Sequence, residues 1–198
     1  MSSLLSFKKD LRKAMHLRRD QLSLIERTQL AQRAASHLLA SDVFRKSQHI
    51  ACYMAKGAEI SAQPMIEAIW RLNKTCYLPV LDPDTAGRLC FMPYDPNDDL
   101  VRDRFGIYEP SFDRVRAINV YELDLVITPL TAFDARGHRI GMGGGYYDRT
   151  FAFKTTCTAQ KPVLCGLAYA FQELPEIHTE SWDICLDVVV TEYGLLYF

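Results

Sequence analysis

The sequence predicts an α/β fold: a layered, largely parallel sheet with helices on both faces and an N-terminal helical pair, all in one domain over residues 1–198. Three observations carry this. Beyond residue 48, short apolar runs alternate with helical patterns. The run Leu123 to Thr128 (LDLVIT) is mostly apolar throughout, as in a strand buried on both faces of a parallel sheet. From Ser3 to Ala40, leucines and alanines recur at spacings of three and four without a proline or glycine.

The elements follow in order. Ser23 starts the second helix, because Leu22 precedes it and Glu26 stands three residues later, as in a capping box. His49 to Met54 (HIACYM) reads as a buried strand, Lys56 to Glu59 as a loop, and Ser61 to Asn73 as a helix with Pro64 in its first turn. A strand follows at Thr75 to Leu81. Between Asp82 and Ile118, repeated Asp, Pro and Gly around the apolar stretch Leu89 to Met92 predict a hairpin and surface loops of unassigned role. After LDLVIT and a glycine-rich loop come a helix at Tyr146 to Phe153 and strands at Val163 to Ala168 and Val188 to Thr191.

Bulk properties narrow the function. A formal net charge of −1 gives no electrostatic case for a nucleic-acid or membrane partner. The six cysteines (Cys52, Cys76, Cys90, Cys157, Cys165, Cys185) are widely spaced, without a C-x-x-C pair, and read as buried thiols. The opening MSSLLSFKKDLRKAM is charged too early for a secretory signal, and no run of about 18 apolar residues occurs. A soluble, cytoplasmic protein is expected, as a monomer or weak homodimer.

The chemistry concentrates in Asp134 to Asp148 (DARGHRIGMGGGYYD), where Gly141, Gly143, Gly144 and Gly145 fall within five positions. Residues without side chains let the backbone approach a ligand closely, and Arg136, His138 and Arg139 add positive charge upstream, so the loop suits an anion such as phosphate. The run beginning at Tyr146 reads as a helix whose first amides would point at the same anion. An ordinary turn needs one or two glycines, and ordering three in a row costs extra backbone entropy. The run fits neither G-K-[ST] nor G-x-G-x-x-G, so neither standard nucleotide fingerprint applies. Asp148 lies within a turn of the expected phosphate site and could hold magnesium, or simply oppose the helix dipole. Lys8 and Arg12 form an i, i+4 pair of cations on one helix face, a pattern that by itself is most often just a solvated surface.

The segment ITPLTAFDARGHRIGMGGGYYDR resembles the signature of the 5-formyltetrahydrofolate cyclo-ligase (methenyltetrahydrofolate synthetase) family. Lys8-x-x-x-Arg12 resembles that family's N-terminal nucleotide-contacting pair, and Met54 and Glu59 in YMAKGAEIS fall where the family places folate contacts. Trp182-Asp183-Ile184 resembles the region giving a second metal carboxylate. The resemblance implies cyclisation of 5-formyltetrahydrofolate to 5,10-methenyltetrahydrofolate, dependent on ATP and magnesium, with release of ADP and phosphate through a phosphorylated formyl oxygen. It implies ATP contacts at Lys8, Lys9, Asp10, Leu11, Arg12, Arg139, Ile140, Gly141, Met142, Gly143, Gly144, Gly145, Tyr146 and Tyr147. Folate contacts are implied at Arg12, Met54, Glu59, Met142, Gly143, Gly144, Gly145 and Tyr146, magnesium at Asp148 and Asp183, and catalytic roles at Arg139 and Tyr146. Two other readings suit the same loop: an enzyme of sugar phosphates or acyl-CoA, which would need a base such as His138, and a non-catalytic nucleotide-binding module.

Overall fold

A capping box starts the second helix where the sequence places it: Ser23 Oγ accepts from Glu26 N at 3.2 Å, while Ser23 N donates to Glu26 Oε2 at 2.8 Å. The computed structural model describes residues 2–155 and 161–198, so Cys157, expected as a buried thiol, lies outside them. In chain order, helices α1 (Ser2–Asp20), α2 (Leu24–Leu39) and α3 (Asp42–Lys46) precede strand β1 (His49–Ala51) and helix α4 (Gln63–Arg71). Strands β2 (Thr75–Leu81), β3 (Leu89–Pro93), β4 (Leu100–Arg102) and β5 (Tyr108–Pro110) come next, then β6 (Leu125–Pro129), β7 (Ala132–Asp134) and β8 (Arg139–Ile140). A short helix α5 (Tyr146–Thr150) precedes β9 (Val163–Leu167), β10 (Glu173–Leu174), β11 (Val188–Thr191) and β12 (Gly194–Tyr197).

The main sheet runs β12-β11-β9-β6-β1-β2-β3. Its five inner strands are parallel and its two edges antiparallel. Apolar residues alternate between the two faces as a pleat requires. Ile50, Leu78, Leu125, Ile127, Val188 and Val190 pack with α2 and α4 on one face, while Ala51, Tyr77, Val126, Leu164 and Val189 meet Phe91, Phe133 and Phe151 on the other. This double burial explains why the inner strands read as nearly unbroken apolar runs. Burying one such side chain is worth about 1.5–3 kcal/mol, so each face contributes substantially to holding the sheet.

From β1 the chain moves outward to β2 and β3, then returns to the other side of β1 at β6. That reversal makes a crevice beyond the carboxyl ends of β1 and β6, where open α/β sheets bind ligands.

Several expectations change in detail. The strand expected at His49 to Met54 ends at Ala51, and the helix expected at Tyr146 to Phe153 ends at Thr150, followed by a tight 3-10 turn at Ala152–Thr155. The glycine loop does not follow the LDLVIT strand directly. A small sheet of order β10-β7-β8 intervenes, and the loop leaves from β8. Cys52, Cys76 and Cys165 are buried, but Cys90 is half-buried and Cys185 is exposed. Cys185 lies between buried Ile184 and buried Leu186.

Asp134 anchors the small sheet. Its fully buried carboxylate accepts from the amides of Arg136 (2.9 Å), His138 (3.1 Å) and Ile177 (2.9 Å) and from His138 Nδ1 (3.0 Å). Burial alone would raise its pKa, but these donors together outweigh it and hold the carboxyl below the ordinary value. The stabilisation is therefore present above the unfolded-state pKa and lost as pH falls through the lower folded-state value. Asp134→Asn is expected to lower stability by about 2 kcal/mol at neutral pH. The gap to the wild type should narrow below about pH 4, and urea unfolding at several pH values checks both.

Candidate functional site

The crevice opens into a cavity of about 990 Å³ whose floor includes Pro79 to Leu81, Leu89 and Pro129 from the main sheet. Lys8 and Arg12 come from α1, Tyr53, Met54, Lys56 and Glu59 from the loop after β1, and Asp103 to Glu109 from the β4–β5 hairpin. The run Arg139 to Arg149 and the segment Ser181 to Asp183 complete the wall. Of the residues expected at a site, Lys8, Arg12, Met54, Glu59, Arg139, Ile140, Gly141, Met142, Gly143, Gly144, Gly145, Tyr146, Tyr147, Asp148 and Asp183 meet here. Lys9, Asp10 and Leu11 do not: the first two are exposed, and Leu11 packs with Ala132, Ile140 and Ile177. One helix face can aim Lys8 and Arg12 inward, but the residues between them point elsewhere.

Glycine is required where the loop turns. Gly143 has φ 98° and Gly145 φ 65°, conformations that side chains resist. A Cβ on Gly143 would meet Arg12 only at an ordinary contact distance, 3.4 Å from Cζ, whereas one on Gly145 would stand 2.7 Å from Arg149 Nη1. These arginines shape the loop by taking its carbonyls. Arg12 Nε donates to Gly141 O at 2.8 Å, Arg149 Nη2 to Gly144 O at 2.5 Å, and Arg149 Nε to Gly87 O at 2.8 Å. Tyr146 closes one side, its ring edge-on to Phe105 (6.1 Å, 78°) and its hydroxyl accepting from Arg104 Nη2 at 2.7 Å.

Two cations of the wall face carboxylates. Arg139 Nη2 donates to Asp148 Oδ1 at 2.7 Å, its other guanidinium nitrogen donates to Ile184 O, and Lys8 Nζ lies 3.6 Å from Asp183 Oδ2. Asp148 Oδ1 also accepts from Ile184 N at 3.2 Å. Arg136 and His138, counted upstream of the loop as possible anion contacts, turn away: Arg136 pairs with Glu176 at 2.8 Å and His138 with Asp134. His138 is thus a structural partner rather than an open turn residue or a free base.

Glu59 is nearly buried in the wall. Its Oε2 accepts from Lys56 N at 2.9 Å, and its Oε1 lies 3.8 Å from Arg19 Nη1. Burial pushes its pKa up, opposed by the Lys56 amide and by the charges of Arg19, Lys56 and His16. Burial likewise pushes up the nearby Tyr147 and Tyr53 hydroxyls.

The β4–β5 hairpin was invisible as a site in the sequence. Asp103, Phe105, Ile107, Tyr108 and Glu109 carry no motif; they reach the cavity where β5 packs beside β2, Phe105 meets Tyr146 edge-on, and Lys56 Nζ donates across to Phe105 O at 2.9 Å. Arg149 was legible only as the end of the Y-Y-D-R run.

A charged glycine loop, a buried acceptor and an apolar wall at the switch point of a doubly wound sheet define a small-molecule enzyme of the α/β class. Comparison with known proteins makes this particular. The model of the 5-formyltetrahydrofolate cyclo-ligase family matches residues 5–192. The chain is 39% identical over 178 residues to the 5-formyltetrahydrofolate cyclo-ligase of Escherichia coli K12, covering 88% of this chain and 94% of that one. Its identity to the Haemophilus influenzae protein of the same name is 38% over 173 residues, with coverages of 87% and 91%. The solved structure of Aquifex aeolicus 5,10-methenyltetrahydrofolate synthetase superposes with a TM-score of 0.80 at 30% identity, covering 96% of this chain and 92% of that one. The chain belongs to the 5-formyltetrahydrofolate cyclo-ligase family and is an enzyme of the ligase class.

Arg149 is the residue whose loss isolates the loop's shape from its charge-pairing partners. Arg149→Ala is expected to speed hydrogen exchange of the Gly143 to Tyr146 amides roughly tenfold while leaving the inner strands unchanged, as read by mass spectrometry or NMR.

Proposed function

We propose that this chain closes 5-formyltetrahydrofolate to 5,10-methenyltetrahydrofolate using ATP with magnesium. The observation that carries the reading is that the glycine loop and the Glu59 carboxylate line one cavity. Its volume of about 990 Å³ stands at the upper end for a small-molecule site, as suits two ligands side by side.

The formyl group is an amide, whose carbon is a poor electrophile. Attack of its oxygen on the γ-phosphorus of ATP forms an O–P bond, breaks the bond to the bridging oxygen and releases ADP. The second nitrogen then attacks the formyl carbon, phosphate departs with the former formyl oxygen, and the nitrogen gives up its proton. Such a sequence needs positioning and charge neutralisation more than a protein nucleophile.

The residues suit these needs. Amides of Gly141, Gly143, Gly144 and Gly145 would meet the phosphates, with Lys8, Arg12 and Arg139 supplying the positive charge. Met142 and Tyr146 offer soft, flat contact to a pterin, Met54 adds apolar area, and Glu59 accepts from the ring's amino and amide hydrogens.

Magnesium fits the donor set in a limited way. Asp148 and Asp183 are hard oxygen donors on the same wall, but no group of three His, Cys, Asp or Glu side chains gathers among the described residues. The ion would depend on phosphate oxygens and water for its remaining ligands, as magnesium commonly does. Bound there, it would neutralise charge on the transferring phosphoryl group.

A base-dependent enzyme of sugar phosphates or acyl-CoA is disfavoured because His138 is occupied by Asp134. With pure protein, absorbance of methenyltetrahydrofolate is expected only when ATP, magnesium and 5-formyltetrahydrofolate are all present, with one ADP formed per product. Product without ATP, or none from folded protein, overturns the reading. Lys8→Ala is expected to raise the ATP KM about tenfold with the folate KM unchanged, and Glu59→Gln to do the reverse, both by steady-state kinetics.

A further inference from the structure

Two adjacent arginines end α1 and meet opposite fates. Arg18 is exposed, its guanidinium 4.5 Å from the centre of the Phe171 ring, as expected of a cation in the last turn of a helix. Arg19 is only 2% exposed, among the most completely buried large side chains described. Desolvating a guanidinium is costly unless an anion and hydrogen bonds compensate it. Yet Arg19 Nε has no hydrogen-bond partner, and its one ion pair among the described residues is with Glu59 Oε1 at 3.8 Å. Glu59 lines the cavity, whereas Arg19 sits behind it.

We propose that Arg19 is a positioning residue for substrate recognition: from behind the cavity wall it keeps Glu59 ionised and aimed, so that the carboxylate accepts hydrogens from a nitrogen-rich heterocycle. The inference rests on the reading of Glu59 as the folate contact.

The geometry divides the work between two supports. The Lys56 amide holds one carboxylate oxygen at 2.9 Å, and Arg19 faces the other. The remaining charges acting on Glu59 are His16 on α1 and the Lys56 ammonium, while the carboxylate itself helps to raise the pKa of the Tyr53, Tyr147 and Tyr169 hydroxyls around it. Tyr53 Oη is committed to Ile60 O at 2.6 Å, and Lys56 Nζ to Phe105 O. His16 is exposed and pairs with Asp20 at 3.7 Å. Arg19 is therefore the buried cation that, with the Lys56 amide, opposes the effect of burial on Glu59. A neutral carboxyl there would present a donor where the heterocycle also presents donors, which weakens binding.

The test uses the full-length protein, with 5-formyltetrahydrofolate and ATP varied separately over about pH 5.5 to 8.5. Arg19→Met is expected to move the acidic limb of kcat/KM for the folate up by about one pH unit or more, so on the acidic side of that limb the folate KM rises about tenfold over the unsubstituted protein, and the difference closes as pH is raised. The ATP KM should not change, and Arg19→Lys should keep the wild-type limb. A folded Arg19→Met protein with a wild-type pH profile overturns the proposal, as does an equal loss in the Met and Lys variants, which marks a packing role. If Arg19→Met does not fold, the ¹³C resonance of the Glu59 carboxyl in unsubstituted protein, assigned by its absence in Glu59→Gln, decides: ionised at neutral pH supports the proposal, protonated overturns it. Glu59→Gln also separates the two readings. An unchanged folate KM in that variant removes Glu59 as the folate contact, whereas a raised folate KM with no effect of Arg19→Met removes only the role of Arg19.

Discussion

Carbonyl oxygens on a bend that has almost no side chains are tied by two arginines, and this constraint decides what the bend offers. Arg12 takes Gly141 O from α1, and Arg149 takes Gly144 O from α5 while also bonding Gly87 O in the β2–β3 turn. Without those ties, a run of glycines would sample many conformations and lose much of any binding energy to ordering. With them, α1, α5 and the sheet edge act on one short loop. The same arginines place two guanidinium groups beside it.

The electrostatics of the cavity are balanced rather than open. Lys8 faces Asp183 and Arg139 faces Asp148, so the cations suited to a triphosphate are paired with the carboxylates suited to its metal. In the proposed reaction, a magnesium-nucleotide brings both signs of charge and can replace both pairings together. Neither partner need then be left buried and uncompensated, which is what makes breaking a single ion pair expensive. Glu59 follows another logic, since its counter-ion is inside the protein and stays there.

Much of this was legible along the chain. The glycine run, the Lys8 and Arg12 spacing and the apolar strands each express a local rule, of backbone freedom, helix period and double burial, that sequence states directly. The β4–β5 hairpin was not legible, because it acquires its place from contacts between residues far apart in sequence: β5 beside β2, Phe105 against Tyr146, and Lys56 Nζ reaching Phe105 O. Arg19 hid for a related reason: in sequence it looks like Arg18, and only the tertiary packing of α1 buries one and exposes the other. The β7–β8 hairpin was hidden in the glycine motif itself, where Asp134 uses a side chain, not a strand pattern, to set the turn.

Backbone amide chemical shifts of isotopically labelled protein, followed while ATP and magnesium are added without folate, address the loop most directly. The account predicts that the amides of Gly141, Gly143, Gly144 and Gly145 move furthest and saturate together. Saturable shifts confined to another part of the surface, with these four amides unmoved, would contradict it.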